Sequence, residues 1–339
     1  MAKRIKWIDF ARGLALVLIM FSHASASEMN AWLSFCALPA FFIISGFLLN
    51  LDKWGKSGAF FPFVAKLAKR LLMPFYVAEF LFYPLWLIVT SLPLPIYPVL
   101  NPTLSAGDAF CGIFLGVGSN LPLPPLWFLP CLFAAEVIFL ALYKILGERR
   151  KIFFAAIILC SMLGIALSEH GALPLNLDLA LASQMFLLAG NLIARRNLVD
   201  RLNIFAFIIL VDAIALAVSL NDPIDMNRRL FGQYVIPAFL ACLAETLLLF
   251  KFSQLVTTAG GLLAKPIIFC GKQSLFVLTV HVPIIVFLYQ MIHLLTGLLW
   301  TEIIKLPEIF VPTVLFTLSL SLWLAKRFGK QPVFKYFCV

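Results

Sequence analysis

Few side chains in this sequence can do chemistry, and most of them sit where they are expensive. Ionisable residues within long apolar runs are Arg12, His23, Glu79, Glu136, Asp212, Glu245 and His281, with Asp9 at the edge of the first run. Charge is costly in hydrocarbon, so each is a functional candidate by default. Arg12 and His23 form the most informative pair. Positions eleven apart on a helix return to within about 20° of one face, and at about 1.5 Å rise per residue they stand about 16 Å apart, at two depths of one tunnel. Asp9 lies three residues before Arg12, within reach of a pair that would hold the guanidinium. A neutral imidazole can take a proton from a hydroxyl while an arginine positions a second reactant, so the set points to group transfer with His23 as general base. The alternative for Arg12 is a snorkelling anchor, and His23 taken singly reads as a hydrogen-bonded core histidine. It is their common face, with Asp9 beside them, that favours chemistry. Ser274 and His281, seven apart, share a face of a later helix, where His281 could orient His23 or an acceptor.

The elements that must position these residues are membrane helices. Of 339 residues, 63% are hydrophobic and 12% charged, against about 25% charged in soluble domains. Apolar runs at about 8–29, 35–51, 73–92, 125–146, 152–168, 175–194, 203–220, 230–250, 273–298 and 308–325 predict about ten transmembrane helices. The expected fold is therefore an all-α polytopic bundle, one integral-membrane domain over residues 1–339 with no fused soluble domain. An even number of spans puts both termini on one side. That side, read as cytoplasmic, collects 23 of the 26 basic residues; only Arg228, Arg229 and Lys305 fall outside it. The net charge of +10 thus reports topology before it reports nucleic acid. Residues 93–124, rich in proline, read as an external loop with a re-entrant or interfacial piece near 109–118, where Gly112 and Gly116 have helix-packing spacing. The N-terminal run is too long, and carries too much charge, for a cleaved signal peptide. Seven scattered cysteines without CxxC or a Cys/His set suggest neither disulfides nor a metal site. There is no GxSxG elbow, which disfavours a serine acyl-enzyme. His23 and Glu28 form an HxxxxE pattern, but five residues set the pair about 140° apart on a helix.

Six segments together resemble acyltransferase family 3, the integral-membrane O-acyltransferases of extracytoplasmic acceptors: IDFARGLALVLIMFSHA (8–24), FFIISGFLL (41–49), KLAKRLLMPFY (66–76), LWFLPCLFAAE (126–136), LALASQMFLLAGNLIARR (179–196) and GKQSLFVLTVHVPII (271–285). The hallmark of that family, an Arg and a His on the first helix with ten residues between them, is matched by Arg12 and His23. The resemblance implies an acyl-CoA donor, usually acetyl-CoA, reaching the protein from the cytoplasm. It also implies a hydroxyl acceptor on a cell-surface carbohydrate or glycolipid, and a bacterial inner-membrane location, with no metal and no nucleic acid involved. A basic cytoplasmic loop with Lys66, Lys69 and Arg70, together with Arg12 and Lys272, is suited to the donor's phosphates. Acceptor or tunnel candidates are Ser45, Trp127, Glu136, Ser274 and His281; Gly46 beside Ser45 reads as a close-packing position, and Trp127 as an interfacial belt residue or a wall of the acceptor cleft. The competing reading is a proton-coupled transporter or flippase using Glu79, Glu136, Asp212 and Glu245 as a relay.

Overall fold

A computed structural model describes residues 4–25, 37–56, 58–92, 100–101, 103–220, 222, 224–261, 264–329 and 331. Among these the chain is helical, with one isolated antiparallel bridge, Asp225 to Leu230, and no strand. In chain order the principal helices are α1 (Lys6–Ala24), α2 (Ala37–Leu48), α3 (Phe60–Ser91), α4 (Ala106–Leu115), α5 (Phe128–Leu146), α6 (Arg150–Ser168) and α7 (Leu177–Ala182). They continue with α8 (Gln184–Arg196), α9 (Ile204–Leu220), α10 (Val235–Ala259), α11 (Ala264–Lys272), α12 (Ser274–Thr296) and α13 (Pro307–Phe328).

Among the described residues seven helices are long and apolar enough to cross a membrane, and the pair Pro174–Ala182 and Gln184–Arg196, bent by 54°, makes an eighth if counted as one span. The protein is an all-α polytopic membrane bundle. Each of the ten predicted runs holds a helix, but α2 has only 12 residues, a rise of about 18 Å against a hydrocarbon core of about 30 Å. Two boundaries differ instructively from expectation. α3 starts at Phe60 and has 32 residues, so Lys66, Lys69 and Arg70 lie on a helix and not in a loop; their charges interrupt the apolar signal without interrupting the backbone hydrogen bonds. α10 starts at Val235 because the preceding residues 224–231 are occupied by a hairpin closed by the Asp225–Leu230 bridge.

The chain forms two compact units. Unit 1 comprises residues 1–49, 186–277 and 304–339, and unit 2 residues 50–185 and 278–303. In unit 1, α1 packs against α2, α10, α11 and α13. Two helix crossings there are backbone to backbone. A Cβ on Gly13 would run into the Ile267 carbonyl, and one on Gly271 into the Asp9 carbonyl, so α1 and α11 approach closely through paired glycines. α2 and α8 do the same, with Gly46 against the Leu187 backbone and Gly190 against the Ile43 carbonyl. Asn191 secures the second crossing by donating from Nδ2 to the Leu49 carbonyl at 3.3 Å. Trp7, Phe47 and Phe250 join α1, α2 and α10 edge to face, with centroids 5.4–5.7 Å apart.

In unit 2 the described part of the expected external loop, residues 100–101 and 103–124, packs as a cap. Its helix α4 begins at Ser105, whose hydroxyl accepts from the Asp108 N–H. It ends at Gly116, whose φ of 67° closes the helix in the left-handed region. Gly112 fits against the Asn120 carbonyl, so the Gly112/Gly116 spacing serves a turn and a cap rather than a helix pair. The Trp86 indole donates to the Leu100 carbonyl at 2.7 Å and the Tyr83 hydroxyl to that of Ala106 at 3.0 Å, tying the cap to α3. Asn176 Nδ2 donates to the Gly116 carbonyl at 2.6 Å.

Gly190→Val is expected to lower the thermal unfolding midpoint of the detergent-solubilised protein by several degrees, through overpacking of about 1–3 kcal/mol. Gly261→Ala, where a Cβ would meet no atom within 4 Å, should leave the midpoint unchanged.

Candidate functional site

α1 is continuous from Lys6 to Ala24, so Arg12 and His23 share one face at a separation of about 16 Å. Both are half-buried. Arg12 immediately precedes Gly13, and Lys272 immediately follows Gly271. The glycine crossing therefore sets the backbones that carry these two bases beside one another. No other residue type permits this approach, because any Cβ at either glycine would displace a carbonyl of the opposing helix.

Asp9 is buried, 3% exposed, and its Oδ2 accepts from Arg4 Nε at 2.8 Å. The carboxylate expected to hold Arg12 is thus engaged by Arg4, which precedes the helix and can fold back over its first turn. Near His23 the carboxylate that matters is Asp225, whose charge acts on the imidazole. Asp225 sits on the hairpin at the opposite end of α1 from Trp7. α10, which follows the hairpin, runs antiparallel to α1, as the contact of Trp7 with Phe250 near its far end requires.

Sequence spacing cannot reveal Asp225, about 200 residues from His23. It also missed Gln273, in the short link between α11 and α12, whose buried Oε1 has no partner among the described residues. Thr317 Oγ1 and Ser321 Oγ, one turn apart on α13, are in the same condition. A small open cleft of about 30 Å³ lies beside α1, lined by Leu18, Ala37, Ala40, Glu245, Thr246 and Leu249. Leu18 projects about 120–140° away from the face of Arg12 and His23, so Glu245 borders a different side of α1. Ser45 is half-buried next to Gly46, and Ser274 is half-buried at the start of α12.

In unit 2 the remaining candidates have local structural partners. Arg70 Nη2 lies 2.9 Å from Glu136 Oε1, and the buried glutamate makes this an ion pair between α3 and α5. Arg70, expected at the donor phosphates, and Glu136, expected in the tunnel, are brought together by this pair, and about half of the Arg70 side chain stays exposed. Lys66 and Lys69 are exposed; Lys66 Nζ is 5.8 Å and Lys53 Nζ 4.5 Å from the Trp54 ring centroid. Trp127 is only 5% exposed, which removes it from a lipid-facing aromatic belt. His281 is buried, with Nδ1 2.9 Å from the Leu278 carbonyl of its own helix. His293 stacks on Trp300 at 5.8 Å.

A family model described as an acyltransferase domain matches residues 5–326, nearly the whole chain. The chain belongs to acyltransferase family 3. The match spans α1 with Arg12 and His23 and reaches into α13, so both paired-glycine crossings and the hairpin lie within the acyltransferase domain. Comparison with curated proteins and with solved structures gave no match.

The Arg70–Glu136 pair is asymmetric in burial, so its two halves differ when removed. Arg70→Ala leaves a buried carboxylate uncompensated and is expected to destabilise by about 2–3 kcal/mol, less than a fully buried pair because Arg70 is half exposed. Glu136→Gln should cost less. The double variant should recover part of the Arg70→Ala loss in thermal unfolding; additive losses would contradict the pairing.

Proposed function

We propose that this membrane acyltransferase moves an acyl group, usually acetyl, from acyl-CoA to a hydroxyl of a cell-surface carbohydrate or lipid-linked glycan at the bacterial inner membrane. The observation that carries the reading is α1 itself: a histidine and an arginine on one face, with the backbone of α11 that carries Lys272 crossing beside Gly13.

The acyl donor is polyanionic, and the residues present suit it. Arg12 offers a planar fork for phosphate and Lys272 a point charge. Lys66 and Lys69 are further exposed ammonium groups suited to phosphate. At the other end of the helix, His23 Nε2 or Nδ1 takes the proton of the acceptor hydroxyl as its oxygen bonds to the thioester carbonyl. The C–S bond then breaks, and the departing thiolate takes up the proton held by the imidazolium. Asp225, by its negative charge, stabilises that imidazolium. Direct transfer needs no nucleophilic serine, in line with the missing GxSxG elbow.

The transporter reading loses ground on the same residues. Glu136 is committed to Arg70, and Glu79 accepts from the Leu123 N–H at 3.2 Å. Asp212 is exposed on α9, away from any interior path in unit 1.

Acetyl-CoA is expected to raise the unfolding midpoint of the solubilised protein. Arg12→Ala should abolish that shift and His23→Ala should keep it. Transfer from radiolabelled acetyl-CoA in proteoliposomes should be indifferent to a protonophore; transport of solute that collapses with the pH gradient, without acyl transfer, would overturn the assignment.

A further inference from the structure

The hairpin that brings Asp225 to His23 also carries two arginines, and their placement calls for a reason. Arg228 and Arg229 are two of the only three basic residues assigned to the face where bases are otherwise avoided. The segment bearing them is not loose. Ile224, Met226 and Phe231 are buried, and Asp225 and Leu230 exchange both backbone hydrogen bonds at 2.9 Å. Residues 226–229 thus form a tight turn, completed by Arg229 with φ 61°.

Within that turn the two arginines differ. Arg229 Nη1 folds back onto the Asn227 carbonyl at 3.4 Å. Arg228 is gripped by Asp225 from one edge only: its backbone N–H donates to Oδ1 at 3.0 Å, and its Nε stands 3.4 Å from Oδ2. The rest of the side chain is exposed, at 78%. Asp225 therefore pairs with the guanidinium while its charge also acts on His23, and the hairpin before α10 sets an exposed cation toward the His23 end of α1.

We infer that the hairpin 224–231 is the acceptor-recognition element, and that the acceptor is anionic, with a carboxylate or phosphate close to the hydroxyl that is acylated, received by Arg228. The inference rests on the acyl-transfer reading above and names the class of its acceptor. Without Arg228, the Asp225 carboxylate would repel an anionic substrate approaching His23. With it, the guanidinium cancels that charge and presents its outer edge for bidentate binding, the geometry that suits carboxylate and phosphate. A neutral sugar offers this edge only uncharged oxygen acceptors, which bind a guanidinium less strongly than a carboxylate or phosphate does.

The test uses membranes containing the full-length protein and their own acceptors, supplied with radiolabelled acetyl-CoA. The labelled product is expected to bind an anion exchanger. Phosphatase or mild-acid treatment should release it if the anion is a phosphate, and carbodiimide reduction if it is a carboxylate. Arg228→Ala should raise the KM for the isolated acceptor fraction about tenfold or more, the loss of one charge-assisted contact. The KM for acetyl-CoA should be unchanged, and Arg228→Lys should restore part of the affinity. Label confined to neutral products, or an unaltered acceptor KM in Arg228→Ala, overturns the inference. Absence of label in any product, in protein that acetyl-CoA still stabilises, overturns the transfer reading on which it rests.

Discussion

The contact on which unit 1 depends is the crossing of α1 and α11 through Gly13 and Gly271, where each helix fills the space a side chain would take on the other. In lipid no hydrophobic drive pushes helices together, so close backbone packing and a few polar bonds must do so. A crossing of this kind fixes more than distance. It sets the rotation of α1 about its own axis, and with it the direction of Arg12 and His23. The second crossing, Gly46 with Gly190, repeats the device between α2 and α8 and adds the Asn191 bond to the Leu49 carbonyl. The ring cluster of Trp7, Phe47 and Phe250 then ties both crossings to α10.

The scarcity of charge in the spans makes the occupation of each ionisable group informative. Asp9 serves Arg4, Glu136 serves Arg70, and Glu79 holds the N–H of Leu123 in the cap. Three buried carboxylates are thereby spent on holding segments in place. Arg12 and His23 lie along one face of α1, where the proposed transfer needs a cation and a base.

Much of this was legible from sequence alone, for physical reasons. Hydropathy marks spans because lipid demands long apolar helices, and each of the ten runs holds a helix, although only seven or eight of the described helices are long enough to cross a membrane. The common face of Arg12 and His23 follows from helical periodicity, and the close-packing role of Gly46 from its size. What could not be read depends on contacts between distant segments. The Arg70–Glu136 pair is 66 residues apart in sequence, and Asp225 acts on His23 from a hairpin that lies mostly outside the apolar runs. Arg4 displaced Arg12 as the partner of Asp9 because residues outside a helix are not bound by its spacing. The short helix α11 went unnoticed, since a nine-residue element carries too little apolar length to signal, although its Gly271 makes the decisive contact.

The central claim is that the His23 imidazole is the base of a direct acyl transfer, and chemical rescue tests it most directly. His23→Gly protein, assayed with acetyl-CoA and the membrane acceptor, should be inactive alone and should regain transfer as imidazole is added, in proportion to the free base. Transfer at the wild-type rate by His23→Gly without imidazole would contradict the account.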